Sequence, residues 1–144
     1  MFQRYEKILV AYDGSKNATL AFEQALALAS QNDAELIILQ VVDTRIDPFA
    51  PYVIEGLLEE KISEAHEELD RLSEDAKRKS IKKVVPILRE GSIRTIIATE
   101  VPEEFDIDLI VIGATGKSGL DKLLIGSTTN YVTTHAKCPV LIVR

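Results

Sequence analysis

Five short apolar runs alternate with helix-like segments along this chain of 144 residues, and this alternation constrains the fold more than any other feature. The runs are continuous, without alternating polar residues, which is typical of strands that are buried on both faces. They lie at residues 7–12, 36–42, 83–88, 109–112 and 140–143. Between them, apolar residues recur every three or four positions, the spacing of one helix face. The pattern predicts an α/β fold, an open five-stranded parallel sheet with helices on both faces and right-handed crossovers.

Capping and helix-breaking residues mark the ends of the predicted elements. Ser15 or Asn17 can cap the helix after the first strand, and Ser92 can cap the helix after the third. Pro86 cannot donate a backbone hydrogen bond, so the third strand is expected at a sheet edge or at one end of the pairing. The acidic stretch 102–108 is expected to be a solvated loop, with a metal site as the rarer alternative.

The composition is that of one ordinary globular domain, expected to span residues 1–144. A formal net charge of −6 argues against a duplex-DNA partner, because neutralising phosphates requires a basic surface. No apolar run approaches the roughly 20 residues that span a bilayer, and the N-terminus lacks a signal-peptide core, so we expect no membrane association and a cytoplasmic location. The single cysteine, Cys138, precedes Pro139 and an apolar run, which favours a structural thiol over a reactive one.

A glycine-rich stretch follows the fourth apolar run, which ends at Gly113. Further glycines lie at Gly116 and Gly119, and a last helix pattern begins at Gly126-Ser127. Glycines allow backbone N–H groups to turn toward an anion, and a helix N-terminus adds unpaired donors and the positive end of a dipole. A strand, a glycine-rich loop and a hydroxyl-rich helix start therefore predict a phosphate-binding loop in a nucleotide-binding domain.

Two standard nucleotide motifs do not fit this stretch. Gly116-Lys117-Ser118 looks like the end of a Walker A loop, but that motif requires a glycine five residues before its Gly-Lys pair, and Val111 stands there. The dinucleotide fingerprint G-x-G-x-x-G also fails, because two residues separate Gly113 from Gly116. Neither motif therefore accounts for the loop.

The ends of three predicted strands carry groups suited to a ligand. In open α/β sheets, ligands bind outside the carboxyl ends of the strands, where the strand order reverses. If the first and fourth strands are neighbours, Asp13 faces the loop that starts at Gly113. Its carboxylate can accept from a ribose hydroxyl or help hold a divalent cation; the alternative is that it only shapes the turn before Ser15. Val41 can offer its backbone to an adenine edge.

The spacing of Gly113, two residues, Gly116, nine residues and Gly126-Ser127 resembles the ATP-binding signature of the universal stress protein (UspA-like) family. The resemblance extends over the whole chain. It includes an Asp-Gly-Ser after the first strand, a Val-Val-Asp after the second and a Cys-Pro before the last, at residues 13–15, 41–43 and 138–139. Family members often have a proline or other small residue before the aspartate; this chain keeps a small residue, Ala11, and adds Tyr12.

The resemblance implies a Rossmann-like, adenine nucleotide alpha hydrolase-like sheet in the order 3-2-1-4-5, which agrees with an edge position for the Pro86 strand. It implies ATP, AMP or ADP as the ligand, with Mg²⁺ or Mn²⁺ near the phosphates beside Asp13. It also implies a homodimer that pairs through the last strand, residues 140–143. The residues expected at the nucleotide are strand-end, glycine and hydroxyl positions: Ala11, Tyr12, Asp13, Val41, Gly113, Gly116, Ser118, Gly126, Ser127, Thr128 and Thr129.

Three functions are compatible with these features. The first is a nucleotide-dependent regulator in the stress response. The second is a slow ATPase, for which Lys117 and Asp13 are candidates, whereas His66 and His135 are expected away from the cleft. The third is an interaction module whose cleft stays empty, which the intact glycine-rich loop argues against. The loop at residues 43–52 is either a lid over the adenine or a plain connection.

Overall fold

The computed structural model describes residues 4–44, 55–116 and 124–144. Five strands alternate with helices along these parts of the chain. The elements are β1 (Lys7–Ala11), α1 (Lys16–Asn32), β2 (Glu35–Val42), α2 (Glu55–Arg78), β3 (Lys83–Glu90), α3 (Ile93–Thr95), a π-helical turn (Ile96–Glu100), α4 (Val101–Phe105), β4 (Leu109–Gly113), α5 (Ser127–His135) and β5 (Val140–Val143). The predicted α/β class is confirmed. Most of the 43–52 loop, the ATPase candidate Lys117, and Ser118 lie outside the described residues.

The strands form one parallel sheet in the order β3-β2-β1-β4-β5. The predicted order is confirmed, and Pro86 lies on an edge strand, aligned with Ile38 of β2. The order reverses at β1, whose Ile8 is flanked by Leu36 on one side and Leu109 on the other. The connections that leave the carboxyl ends of β1 and β4 therefore lead to opposite faces of the sheet, and the crevice between them is where such sheets bind ligands.

Alternate residues of the central strands belong to two separate core layers, one on each face of the sheet. Ile8 and Val10 of β1, and Tyr12 just after it, pack under α1 and α2, while Leu9 and Ala11 pack under the α3–α4 segment and α5. This two-sided burial explains why the strands appear as continuous apolar runs in the sequence.

Within the described parts of the chain, no helix has both the length and the apolar character needed to cross a membrane.

The expectation of a solvated loop at 102–108 is partly wrong, because its first half is helical. After the π-helical turn, the chain continues as α4, and Pro102 lies in the first turn of that helix. A proline is tolerated there because its missing N–H would have no helical partner. The helix ends at Asp106, which adopts the left-handed conformation (φ 54°) and donates its backbone N–H to the carbonyl of Pro102.

Candidate functional site

A cleft of about 480 Å³ opens at the carboxyl ends of β1, β2 and β4. It is lined by the strand ends, by the helix after β3, and by the loop after β4 together with the start of α5. The lining residues are Ala11, Tyr12, Asp13, Ser15, Ala18, Leu39, Val41, Ile93, Ile97, Ile112, Gly113, Thr115, Gly116, Leu124, Ile125, Gly126, Ser127, Thr128 and Thr129.

The structure brings ten of the eleven residues predicted from the sequence into this one cleft. Ser118 is the exception, since it lies outside the described residues. The ten are Ala11, Tyr12, Asp13, Val41, Gly113, Gly116, Gly126, Ser127, Thr128 and Thr129.

Asp13 both shapes its own turn and faces the glycine-rich loop. Its Oδ1 accepts a hydrogen bond of 2.9 Å from the backbone N–H of Ser15, while Gly14 supplies the positive φ (84°) that the turn requires. Its Oδ2 faces Gly116 so closely that a Cβ on that glycine would lie 2.7 Å from it. The two interpretations of Asp13 are therefore compatible, because each carboxylate oxygen has a different neighbour.

Gly113 is required for helix packing, whereas the sequence analysis explained this glycine by anion binding. A Cβ at this position would lie 2.8 Å from Cβ of Asn17 and 2.9 Å from its backbone carbon, so α1 could not approach β4. The phosphate-loop argument attributed all of these glycines to backbone N–H groups that turn toward an anion. At Gly113 the absence of a side chain instead lets α1 lie against the strand end.

Backbone hydrogen bonds hold the two arms of the loop together. The N–H of Gly126 donates to the carbonyl of Ala114 at 2.7 Å, and the N–H of Ala114 donates to the carbonyl of Val143 at 2.7 Å. Gly126 is also the N-cap residue of α5. The arm that leaves β4 and the arm that enters α5 thus meet at the edge of the cleft, beside the end of β5.

The three hydroxyl residues at the start of α5 differ in their surroundings. Thr129 is buried, and its Oγ1 donates a 2.7 Å hydrogen bond to the carbonyl of Gly113, so this hydroxyl joins α5 to β4. Ser127 is exposed and Thr128 is half-buried, and both line the cleft. Of the three, Ser127 and Thr128 are the more open to a ligand.

Several lining residues were not predicted, and most of them are apolar. Among them are Ile93 and Ile97 from the segment after β3, and Leu124 and Ile125 before α5. The spacing of Ile93 and Ile97 identified a buried helix face, but a helix that lines a cleft and a helix that packs in a core have the same periodicity. Thr115 also lines the cleft, and no sequence pattern singled it out.

Titratable groups are sparse at this site. Among the described residues, Asp13 is the only carboxylate that lines the cleft, and no group of three or more His, Cys, Asp or Glu side chains is placed to hold a metal. Neither His66 nor His135 belongs to the lining; His135 stacks on Tyr131 in α5. Burial raises the pKa of the Cys138 thiol, and the nearby charge of Asp108 raises it further. A raised pKa disfavours the reactive thiolate, which supports the prediction of a structural cysteine.

A doubly wound parallel sheet with a glycine-lined, largely apolar cleft at its switch point places this chain in the Rossmann-like class, whose members commonly bind ligands at this position. Comparison with known families makes this more specific. Residues 4–144 match the model of the universal stress protein family. The chain belongs to the universal stress protein family, as the loop spacing suggested.

Individual relatives agree with this assignment. The chain is 36% identical over 142 residues to a putative universal stress protein of Staphylococcus aureus, covering 97% of this chain and 84% of the relative. The solved structure of the universal stress protein UspA from Lactobacillus plantarum has a TM-score of 0.89 at 32% identity, covering 99% of this chain and 100% of the other.

Two more distant structures with this fold are nucleotide complexes. A universal stress protein in complex with cAMP has a TM-score of 0.74 at 24% identity, covering 99% of this chain and 98% of the other. A universal stress protein from Archaeoglobus fulgidus in complex with dAMP has a TM-score of 0.70 at 21% identity, covering 99% of this chain and all of the other. At this level of identity, they support the fold.

Proposed function

We propose that this protein binds ATP or a related adenine nucleotide and acts, as one domain, as a nucleotide-dependent regulator in the stress response. The observation that carries the proposal is the convergence of Asp13, Gly116 and Gly126-Ser127 on one cleft, although 113 positions of sequence separate Asp13 from Gly126. This is the arrangement that the ATP-binding signature of the family implies. The cleft volume of about 480 Å³ falls within the range of small-ligand sites.

The apolar half of the cleft suits a purine base. Leu39, Ile93 and Ile97 provide a wall without charge, on which a flat aromatic ring can be buried. Val41 lies at the end of β2 in the same half and offers backbone groups to the polar edge of the base. Adenine is therefore the group that we place against this wall.

The other half of the cleft suits the ribose and phosphates. The N-terminus of α5, with Gly126 as its cap and Ser127 and Thr128 in its first turn, presents backbone donors and the positive end of a dipole. Asp13 Oδ2 faces this half across Gly116 and is the acceptor that we assign to a ribose hydroxyl or to Mg²⁺ or Mn²⁺ bound to the phosphates. With one carboxylate available among the described lining residues, most of the ligands of such a cation would come from the nucleotide and water.

The relatives that bind cAMP and dAMP add support, since both ligands contain an adenine base and a phosphate.

We also propose a cytoplasmic homodimer that pairs through β5. This strand is at the edge of the sheet, it is entirely apolar, and its Leu141 is exposed. Pairing with the β5 strand of a second copy would cover this edge.

The nucleotide proposal is tested by native mass spectrometry of the purified protein and by calorimetric titration with ATP and Mg²⁺. We expect co-purified adenine nucleotide or direct binding of ATP. The Asp13→Ala variant should bind about tenfold more weakly, since it loses one charge-assisted contact. Asp70→Ala is the matched control, because Asp70 is exposed on α2 and is not part of the cleft lining. If the wild-type protein neither carries nor binds an adenine nucleotide, the proposal is wrong.

A further inference from the structure

A hydrogen bond between Asn17 and Thr115 joins the first turn of α1 to the loop after β4. Nδ2 of Asn17 donates to Oγ1 of Thr115 at 2.8 Å, across 98 positions of sequence. Thr115 lines the cleft next to Gly116, whereas Asn17 is not part of the lining. A side chain outside the cleft is thus hydrogen-bonded to the hydroxyl of a residue that lines it.

The direction of this hydrogen bond determines what Thr115 can offer to a ligand. Its oxygen accepts the amide hydrogen of Asn17, so its own hydroxyl proton is free to be directed elsewhere. Thr115 is half-buried and borders the half of the cleft that contains Gly116, Gly126 and Ser127. A hydroxyl donor in this position suits an anionic oxygen, because hydrogen bonds to charged acceptors are the stronger ones.

The position of Asn17 is itself fixed by its surroundings. Ser15 caps α1 by accepting a hydrogen bond of 3.1 Å from the N–H of Ala18, and Asp13 in turn accepts from the N–H of Ser15. On the other side, Asn17 packs so closely on Gly113 that no side chain fits between them. The amide is therefore presented to Thr115 by a rigid helix start.

We propose that Thr115 donates its hydroxyl proton to a phosphate oxygen of the bound nucleotide, and that Asn17 is the positioning residue that sets this direction. The inference rests on the proposed function, since it concerns the same cleft. It adds two residues outside the glycine positions and Gly126-Ser127 of the signature. In this proposal the close contact between Gly113 and Asn17 matters for binding, because it places the Asn17 amide within hydrogen-bonding distance of Thr115 in the loop.

The test compares Thr115→Val with Thr115→Ser. Valine keeps the branched shape and removes the hydroxyl, and serine keeps the hydroxyl. We expect Thr115→Val to weaken ATP binding about tenfold in calorimetry, and Thr115→Ser to bind within about twofold of the wild type. The affinity for adenosine, measured by competition against a fluorescent ATP analogue, should change less than about twofold in Thr115→Val, since adenosine lacks the phosphates.

Asn17→Ala measures the positioning role. Alone, it should weaken ATP binding about fivefold, and in the Thr115→Val background it should add less than about twofold, because the hydroxyl that it orients is gone. Thr115→Val with wild-type affinity for ATP, or an Asn17→Ala loss that is undiminished in the Thr115→Val background, would overturn the inference. In either case, continued binding of ATP by the wild type would leave the proposed function intact, whereas absence of wild-type binding would refute that function first.

Discussion

At the scale of single residues, the first two glycines of the loop have different physical roles. Gly113 faces the backbone and Cβ of Asn17, neither of which can move without shifting α1. Gly116 faces the end of the Asp13 side chain, which can rotate away. One glycine therefore maintains the packing of the fold, and the other maintains the geometry of the cleft.

Alanine substitutions should separate these two roles. Gly113→Ala should lower the free energy of unfolding by about 1–3 kcal/mol, because a methyl group has to be forced against α1. Gly116→Ala should change stability by less than about 1 kcal/mol but weaken ATP binding about tenfold, because it displaces Asp13 from the cleft. Urea denaturation and calorimetric titration measure the two quantities.

Gly56→Ala is the matched control for both variants. Gly56 is exposed on α2, where alanine has the higher helix propensity, so stability should stay the same or rise by up to about 1 kcal/mol while affinity is unchanged. Equal stability losses in Gly113→Ala and Gly116→Ala would contradict the assignment of a packing role to Gly113 and of a cleft-geometry role to Gly116.

A residue of the candidate site can be located from the sequence when it lies at the end of a predicted strand. Asp13 was proposed because all carboxyl ends of a parallel sheet meet at one edge, so the boundary of an apolar run also locates a candidate site. Val41 needed the family resemblance in addition to its position near a strand end. The hydrogen bond between Asn17 and Thr115, and the one from Thr129 to Gly113, could not be found in this way. Both depend on side-chain directions that are set when α1 and α5 pack on the sheet.

At the scale of elements, the two predicted serine caps have different outcomes. Ser15 is the N-cap of α1, and its side chain accepts from the N–H of Ala18. Ser92 is the N-cap of α3, but its side chain makes no capping hydrogen bond. The sequence located the start of α3 but left Ser15 and Asn17 as alternatives for α1, where Asn17 lies inside the helix, and it could not tell which serine bonds to its helix.

This difference predicts the stability of two matched variants. Ser15→Ala should lower the free energy of unfolding by about 1 kcal/mol, because one N–H in the first turn of a 17-residue helix loses its partner. Ser92→Ala should change it by less than about 0.5 kcal/mol. Thermal denaturation of the two variants beside the wild type measures the effect, and equal losses would contradict the assignment of Ser15 as the only side-chain cap of the pair.

Strands were predicted more closely than helices, for a physical reason. Burial on both faces gives continuous apolar runs, so the predicted run at 140–143 coincides with β5 and the run at 7–12 differs from β1 by one residue. The segment after β3 was harder. The acidic stretch that begins at Pro102 was expected to be a loop, but after the π-helical turn Pro102 lies in the first turn of α4.

At the scale of the whole molecule, the order of the strands required more than the apolar pattern. Alternating strands and helices are compatible with several parallel orders. Pro86 favoured an edge for β3, and the loop spacing connected the chain to a family with a defined order. The remaining information lies in tertiary packing, such as the contact of α1 with Gly113 at the end of β4, the strand that pairs with β1.

The exposed edge of β5 leads to a prediction about assembly. The N–H groups of Ile110 and Ala114 donate to the carbonyls of Pro139 and Val143, so alternate carbonyls of this strand face β4. The backbone groups of Val140 and Ile142 accordingly point away from the sheet, as a second strand would require. The wild type is expected to have twice the 16.0 kDa mass of one chain in light scattering.

Leu141→Lys should convert that dimer into a monomer. Leu141 is 37% exposed on the edge strand, and two lysines brought together across a two-fold axis would repel each other and lose apolar contact. Leu57→Lys is the control, because Leu57 is 50% exposed on α2 and receives the same change away from the edge. A Leu141→Lys variant that keeps the dimer mass would place the interface elsewhere. A monomeric wild type would mean that the edge is protected by its own short length of four residues.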